Sequence, residues 1–135
     1  MSVPETVAEM CSPASTAVLV YDAQVGILAH VKDRERLVGR IRAVLDAARA
    51  AGVLVVYVRH VSLPPSALGV AGLRTAMAWQ RVDRADAVRS MLPPEAPQTQ
   101  LAPELAPVAE EPVFDKLAMS ALVGRRSRRC SATAV

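Results

Sequence analysis

Residues 16–28 read TAVLVYDAQVGIL, and the reading of this stretch decides the fold. Ala17 to Tyr21 shows none of the polar alternation expected of a strand with one wet face. Such a run suits a parallel strand covered by helices on both sides. It stops at Asp22, with Gln24 two places on. An aspartate after a strand is either a turn residue bonding its own backbone or a carboxylate delivered to a crevice at the strand's tip.

The next stretch, KDRERLVGRIRAVLDAARAAG (residues 32–52), sets Leu37, Ile41, Val44, Leu45 and Ala48 at helical spacing against a charged face. Asp33 is placed to cap its start and Gly52 to end it. Val53 to Val58 follows at once as a second apolar strand. Strand, helix and strand with short connections form a βαβ unit, whose strands are parallel.

Beyond His60 the pattern loosens. Residues 62–81, SLPPSALGVAGLRTAMAWQR, hold two prolines and two glycines and read as a surface excursion, with a helix predicted around Asp83 to Leu92. Pro93, Pro94, Pro97, Pro103 and Pro107 forbid regular helix over 93–107. Pro112 to Lys116 is a short third strand, and LAMSALVG, residues 117–124, begins another helix. Met1 to Ser15 is a loose lead-in, and no internal repeat is visible.

Bulk properties agree with one α/β domain. A chain of 135 residues fits a single domain of roughly 100–150 residues. A hydrophobic fraction of 52% excludes disorder, and with four aromatic residues, Tyr21, Tyr57, Trp79 and Phe114, the core is aliphatic. The net charge is +3, but Arg125, Arg126, Arg128 and Arg129 sit in the last eleven residues; removing those four charges leaves −1 for residues 1–124. A near-neutral body with a basic tail argues against nucleic acid as partner. Two cysteines, Cys11 and Cys130, do not make a disulfide framework, and no signal peptide or membrane-length apolar run is present. The expected location is cytoplasmic, with no membrane partner.

If the three strands are parallel, Asp22, His60 and Lys116 all stand at their carboxyl ends, on the edge where open α/β sheets bind ligands. Alone, Lys116 reads equally as a solvated lysine and His60 as a loop or packing histidine. Together, a carboxylate and an ammonium each favour the other's charged form, holding a base ionised and offering a cation to developing negative charge.

The stretches TAVLVYDAQVGIL, AARAAGVLVVYVRH (47–60) and PELAPVAEEPVFDKLAMSALVG (103–124) resemble, in order, three signatures of the isochorismatase-like or cysteine hydrolase family. The resemblance runs from about Thr16 to Gly124. It implies a three-layer α/β/α sandwich with a mostly parallel, Rossmann-like sheet, and hydrolysis of amide or related C–N bonds by an aspartate, a lysine and a cysteine. Carried over by position, Asp22 matches the aspartate that deprotonates the thiol, Lys116 the lysine beside it, and Gln24 the glutamine of the Asp-x-Gln opening. The cysteine acts as thiolate nucleophile.

Departures follow Gly124. The family's third signature continues as S-A-F-x-G-T, whereas Arg125 stands after Gly124 here. Cys130 is fourteen residues past Lys116, too close for the helix and strand that intervene in the family, so the matching nucleophile is expected to be missing. The fold is then incomplete at its C-terminus: a lead-in over 1–15, a hydrolase domain over 16–124 and a basic tail over 125–135, as a frameshift or premature end would leave it. Uncovered sheet edge and apolar faces favour association, a homo-oligomer included.

Neither cofactor nor metal is expected, because the Asp-x-His metal motif of the nicotinamide-hydrolysing branch has no counterpart after His60. The vinyl-ether-cleaving branch uses its aspartate as an acid and needs no thiol. Two functions are therefore carried forward. One is hydrolysis of a small-molecule amide, C–N bond or vinyl ether through Asp22 and Lys116; the other is a non-catalytic binding or assembly module with a basic tail.

Overall fold

The computed structural model describes residue 3 and residues 5–122. Three strands form one parallel sheet in the order β1 (Ala17–Tyr21), β2 (Leu54–His60), β3 (Val113–Lys116). The predicted βαβ unit is present, with the crossover made by a 17-residue helix, Arg34–Ala50. Before it stand two single-turn helices, α1 (Val7–Met10) and α2 (Val25–Leu28), so the crossover helix is α3. Within the N-terminal lead-in stand α1 and a 3-10 turn, Pro13–Ser15.

Asp33 occupies the N-cap of α3, but at φ 60 and without a side-chain capping bond. At the other end Gly52, φ 68, takes the left-handed conformation that glycine adopts without Cβ strain. The chain then enters β2 directly. Leu45 and Ala48 of α3 pack with Val20, Val55 and Tyr57 in the core. Arg49 locks this helix to the segment before β3, its guanidinium donating to both Glu111 carboxylate oxygens at 2.8 and 2.9 Å and to the Tyr57 hydroxyl at 3.2 Å. That fork holds the Glu111 carboxyl below its ordinary range, through the hydrogen bonds first.

Register sorts the strand residues by face. Val20, Tyr57 and Val113 are aligned, as are Arg59 and Asp115, on the face that α3 covers. Tyr21, Val58 and Phe114 are aligned on the other, as are His60 and Lys116. Among the described residues this second face is only partly covered, with Leu19 46%, Tyr21 43%, Leu54 56% and Phe114 40% exposed. The apolar run of β1 predicts cover on both faces, and the described residues supply it on one.

Two local predictions are corrected. The stretch read as an excursion contains a helix, α4 (Val70–Gln80), whereas the helix expected around Asp83 to Leu92 is a single 3-10 turn, Ala85–Ala87. Residues 117–122 are bends, not helix. The proline-rich 93–107 holds two 3-10 turns, Pro97–Thr99 and Pro103–Leu105, and buries Thr99, Ala102 and Leu105 as a strap against α2 and α3. Gly26 permits that docking: a Cβ there would stand 2.9 Å from the Gln98 Cβ and 3.0 Å from its carbonyl oxygen.

Leu45 is 1% exposed and its helical neighbour Val44 is 54% exposed. Leu45→Ala is expected to remove about 2–5 kcal/mol of stability in urea unfolding. Val44→Ala stays within about 0.5 kcal/mol of the parent.

Candidate functional site

The strand tips meet as the topology requires. Asp22 follows β1 immediately; its N–H donates to the Val58 carbonyl at 2.9 Å, continuing the ladder one residue beyond the strand. Its φ of 53 is left-handed, a conformation aspartate tolerates at some cost. His60 and Lys116 are the last residues of β2 and β3 and are register partners, so their side chains leave the sheet on the same face. His60 thus belongs to the strand rather than lying beyond it.

Lys116 is the centre of the cluster. It is 4% exposed, and its Nζ lies 3.0 Å from Asp22 Oδ2. The same nitrogen is 3.3 Å from His60 Nδ1 and from the carbonyl oxygens of Ala118 and Met119, and sits 4.5 Å from the centroid of the Tyr21 ring. The Tyr21 hydroxyl also donates to the Met119 carbonyl. These bonds explain why 117–122 is not helical: the carbonyls of residues 118 and 119 serve the lysine and the tyrosine. The second carboxylate oxygen, Asp22 Oδ1, is buried and has no hydrogen-bond partner among the described residues.

Sequence reasoning placed Gln24 in the site without a role, and the structure supplies one. Gln24 is fully buried. Its Oε1 accepts from His60 N–H at 2.7 Å, and its Nε2 donates to the His60 carbonyl at 2.9 Å and to the Thr99 carbonyl at 2.6 Å. One amide therefore ties the β1 exit, the β2 end and the strap together.

These groups border a cavity of about 490 Å³ whose walls include Ile27, Leu68, Trp79, Met91 and Leu92. Ser62, Ser90 and Arg89 add polar groups. Ser62 and Ser90 hydroxyls are 2.8 Å apart, and Leu92 N–H donates to Ser62 Oγ at 2.7 Å, closing the wall after β2. No pattern in the sequence marked α4 as part of this wall. Its weak signal lies in Gly72, Ala76 and Trp79, spaced along one side. No cysteine is among the described residues lining the cavity; Cys11 is exposed at the end of α1, and Cys130 with the arginine tail lies outside the described residues. Among the described residues no group of three His, Cys, Asp or Glu could hold a metal, and no helix is long and apolar enough to cross a membrane.

Burial, and then the Lys116 charge, hold the His60 imidazole below its ordinary value, with Asp22 pulling the other way. The unfolded chain therefore takes up a proton at His60 before the folded one does. Stability is expected to fall as pH drops through the ordinary imidazole value of about 6.5. Thermal melts from pH 7.5 to 5.5 should show that decline, and His60→Gln should reduce it. Gln24→Ala strands three backbone groups and is expected to cost about 1–3 kcal/mol or more in urea unfolding.

The Isochorismatase domain family matches residues 16–128. A cysteine hydrolase from Pseudomonas syringae pv. phaseolicola 1448A is 28% identical, with a TM-score of 0.62, covering 83% of this chain and 51% of that one. N-carbamoylsarcosine amidase from Thermoplasma acidophilum is 24% identical, with a TM-score of 0.56 and coverage of 80% and 55%. A hydrolase of the isochorismatase family from Chromobacterium violaceum ATCC 12472 is 22% identical, again at a TM-score of 0.56, with coverage of 80% and 46%. A comparison with curated proteins found no match. The chain spans about half the length of these solved structures. With most of its length matched and its parallel sheet in the same α/β fold, this chain belongs to the isochorismatase family of hydrolases.

Proposed function

We propose that the cavity is a small-molecule hydrolase site directed at an amide or related C–N bond, with Asp22 and Lys116 carrying the acid–base chemistry. The observation behind this reading is the 3.0 Å ion pair in the cavity wall. A lysine with 2% of its side chain exposed supplies a fixed cation where water is scarce. Beside it stands Asp22, whose Oδ1 has no hydrogen-bond partner among the described residues and is open to accept a proton. The similarity to a cysteine hydrolase at 28% identity supports hydrolysis as the reaction class.

In the C–N route Asp22 takes the proton of a thiol, and no described residue of the cavity supplies one. In the vinyl-ether route Asp22 acts as an acid and no thiol is needed. The lack of a cysteine among the described cavity residues supports a third reading, a binding or assembly module without catalysis. The edge of β1, unpaired among the described residues, and the exposed Leu19, Leu54 and Phe114 support a homo-oligomer, which sedimentation equilibrium measures.

Turnover of a panel of small amides and vinyl ethers separates these readings. For a hydrolase, Asp22→Asn lowers the rate at least about 100-fold, while Asp86→Asn, at an exposed site, leaves it unchanged. Loss of the rate in the cysteine-free variant Cys11→Ala/Cys130→Ala assigns the thiol route, and its retention assigns the thiol-free one. A chain that binds these compounds without turning them over, equally well as Asp22→Asn, is a binding module.

A further inference from the structure

The acid–base reading gives no task to His60, the third strand-tip residue, although its position is the most tightly specified in the cavity. Its backbone N–H and carbonyl are both held by the buried Gln24 amide, at 2.7 and 2.9 Å. Its register partner is Lys116, and its Nδ1 faces Lys116 Nζ at 3.3 Å. An ammonium has no lone pair to accept with, and its three N–H groups are shared among Asp22 Oδ2, the Ala118 and Met119 carbonyls and Nδ1, so the ring nitrogen facing it is the one that carries the lone pair. The proton of the neutral ring then sits on Nε2. A second proton on Nδ1 would set two positive donors against each other.

We propose that His60 is a ligand-binding residue: fixed by Lys116 in the Nε2–H tautomer, it presents one hydrogen-bond donor to an uncharged carbonyl oxygen of a small carboxamide or ester in the cavity. The proposal rests on the hydrolase reading for its ligand class. A donor without an acceptor partner at the same atom selects an oxygen acceptor over an N–H group. The nearby walls of Ile27, Leu68 and Trp79 suit an apolar substituent on that carbonyl compound. The preorganisation is what makes the donor discriminating, because neither the strand end nor the ring tautomer has to reorganise on binding.

The chain contains two histidines, and His30 is exposed, so ring-¹⁵N-labelled protein gives two side-chain spin systems with a built-in reference. At pH 7.5 the expected spectrum shows His60 with an unprotonated Nδ1 and a protonated Nε2, while His30 averages both tautomers. Lys116→Met should return His60 to a tautomer mixture. Acetamide, benzamide and ethyl benzoate, added in turn, should shift the His60 Nε2–H and leave His30 unmoved. His60→Asn keeps an acceptor at the Nδ1 position but has no donor at the Nε2 position, and should weaken benzamide binding about tenfold. His60→Gln, which restores that donor, should stay within about twofold of the parent.

A protonated Nδ1 in the parent chain overturns the proposal, and needs no variant to fold. So does an Nε2–H that none of the three compounds moves, or a shift produced by benzoate alone, which would assign the cavity to anions. The hydrolase reading fails separately: a locked, ligand-responsive His60 in a chain without turnover removes the catalysis and keeps the donor. Turnover that depends on Asp22 with an unresponsive His60 does the reverse.

Discussion

The ammonium of Lys116 is taken almost wholly out of water, and that burial is the constraint from which the rest of the site follows. An isolated buried cation is intolerable, so it must be paired and hydrogen-bonded. The carboxylate comes from Asp22, at the exit of a strand that does not pair with β3, and the two meet because β2 holds both neighbours in parallel register. The remaining donors are shared among His60 Nδ1 and two carbonyls of the segment after β3, and the Tyr21 ring centroid lies 4.5 Å from the nitrogen. Helical structure over 117–122 is given up to satisfy the charge. Left-handed backbone at Asp22 belongs to the same account, a strained conformation at the point where the carboxylate must turn towards the lysine.

Gln24 converts this electrostatic requirement into a rigid frame. A primary amide offers a donor pair and an acceptor in one plane, so it pairs with a strand end as another strand would. By bonding both backbone groups of His60 and the Thr99 carbonyl, it holds β2 and the strap at fixed spacing from the β1 exit. The strap reaches that position through Gly26, where any side chain would collide with Gln98. An isolated bridge between Gln24 and Leu101 continues the contact along the backbone. A segment that five prolines bar from regular helix is therefore ordered by docking together with the local bonds of its 3-10 turns.

The parts of this structure legible in the sequence are those where pattern and packing agree. β1, α3, β2 and β3 emerge from apolar runs, one clear helical stripe and a glycine stop, and their topology alone brings Asp22, His60 and Lys116 to one edge. α4 was illegible because it borders a cavity rather than the core, so it has no sharp apolar stripe, and Gly69 and Gly72 resemble breakers. Its start is capped by backbone geometry at Gly69 instead of a side chain. The bends after β3 could not be foreseen from LAMSALVG, a good helical text, since the competing demand comes from a lysine whose burial is a tertiary fact. Asp33 shows the same limit in miniature: the right residue at the right cap, in a conformation that forgoes the capping bond.

Register is the least visible element and the most consequential. Side chains alternate faces along a strand, so a slip of one residue between β2 and β3 would turn Lys116 to the α3 face and bring Asp115 into the cavity. The adjacent pair guards against this. Arg59 donates to both carboxylate oxygens of Asp115, at 2.7 and 2.9 Å, and to the Gln100 side chain at 2.6 Å. With Asp115 41% exposed, such a pair adds little stability in itself. Its value lies in the alternatives it penalises: a slipped β3 would set Arg59 beside Lys116, like against like, or beside Phe114, with no acceptor for its guanidinium. Two ion pairs on consecutive residues thus divide the work, one on the helix-covered face fixing which residues align, the other using that alignment to bury a charge in the cavity wall.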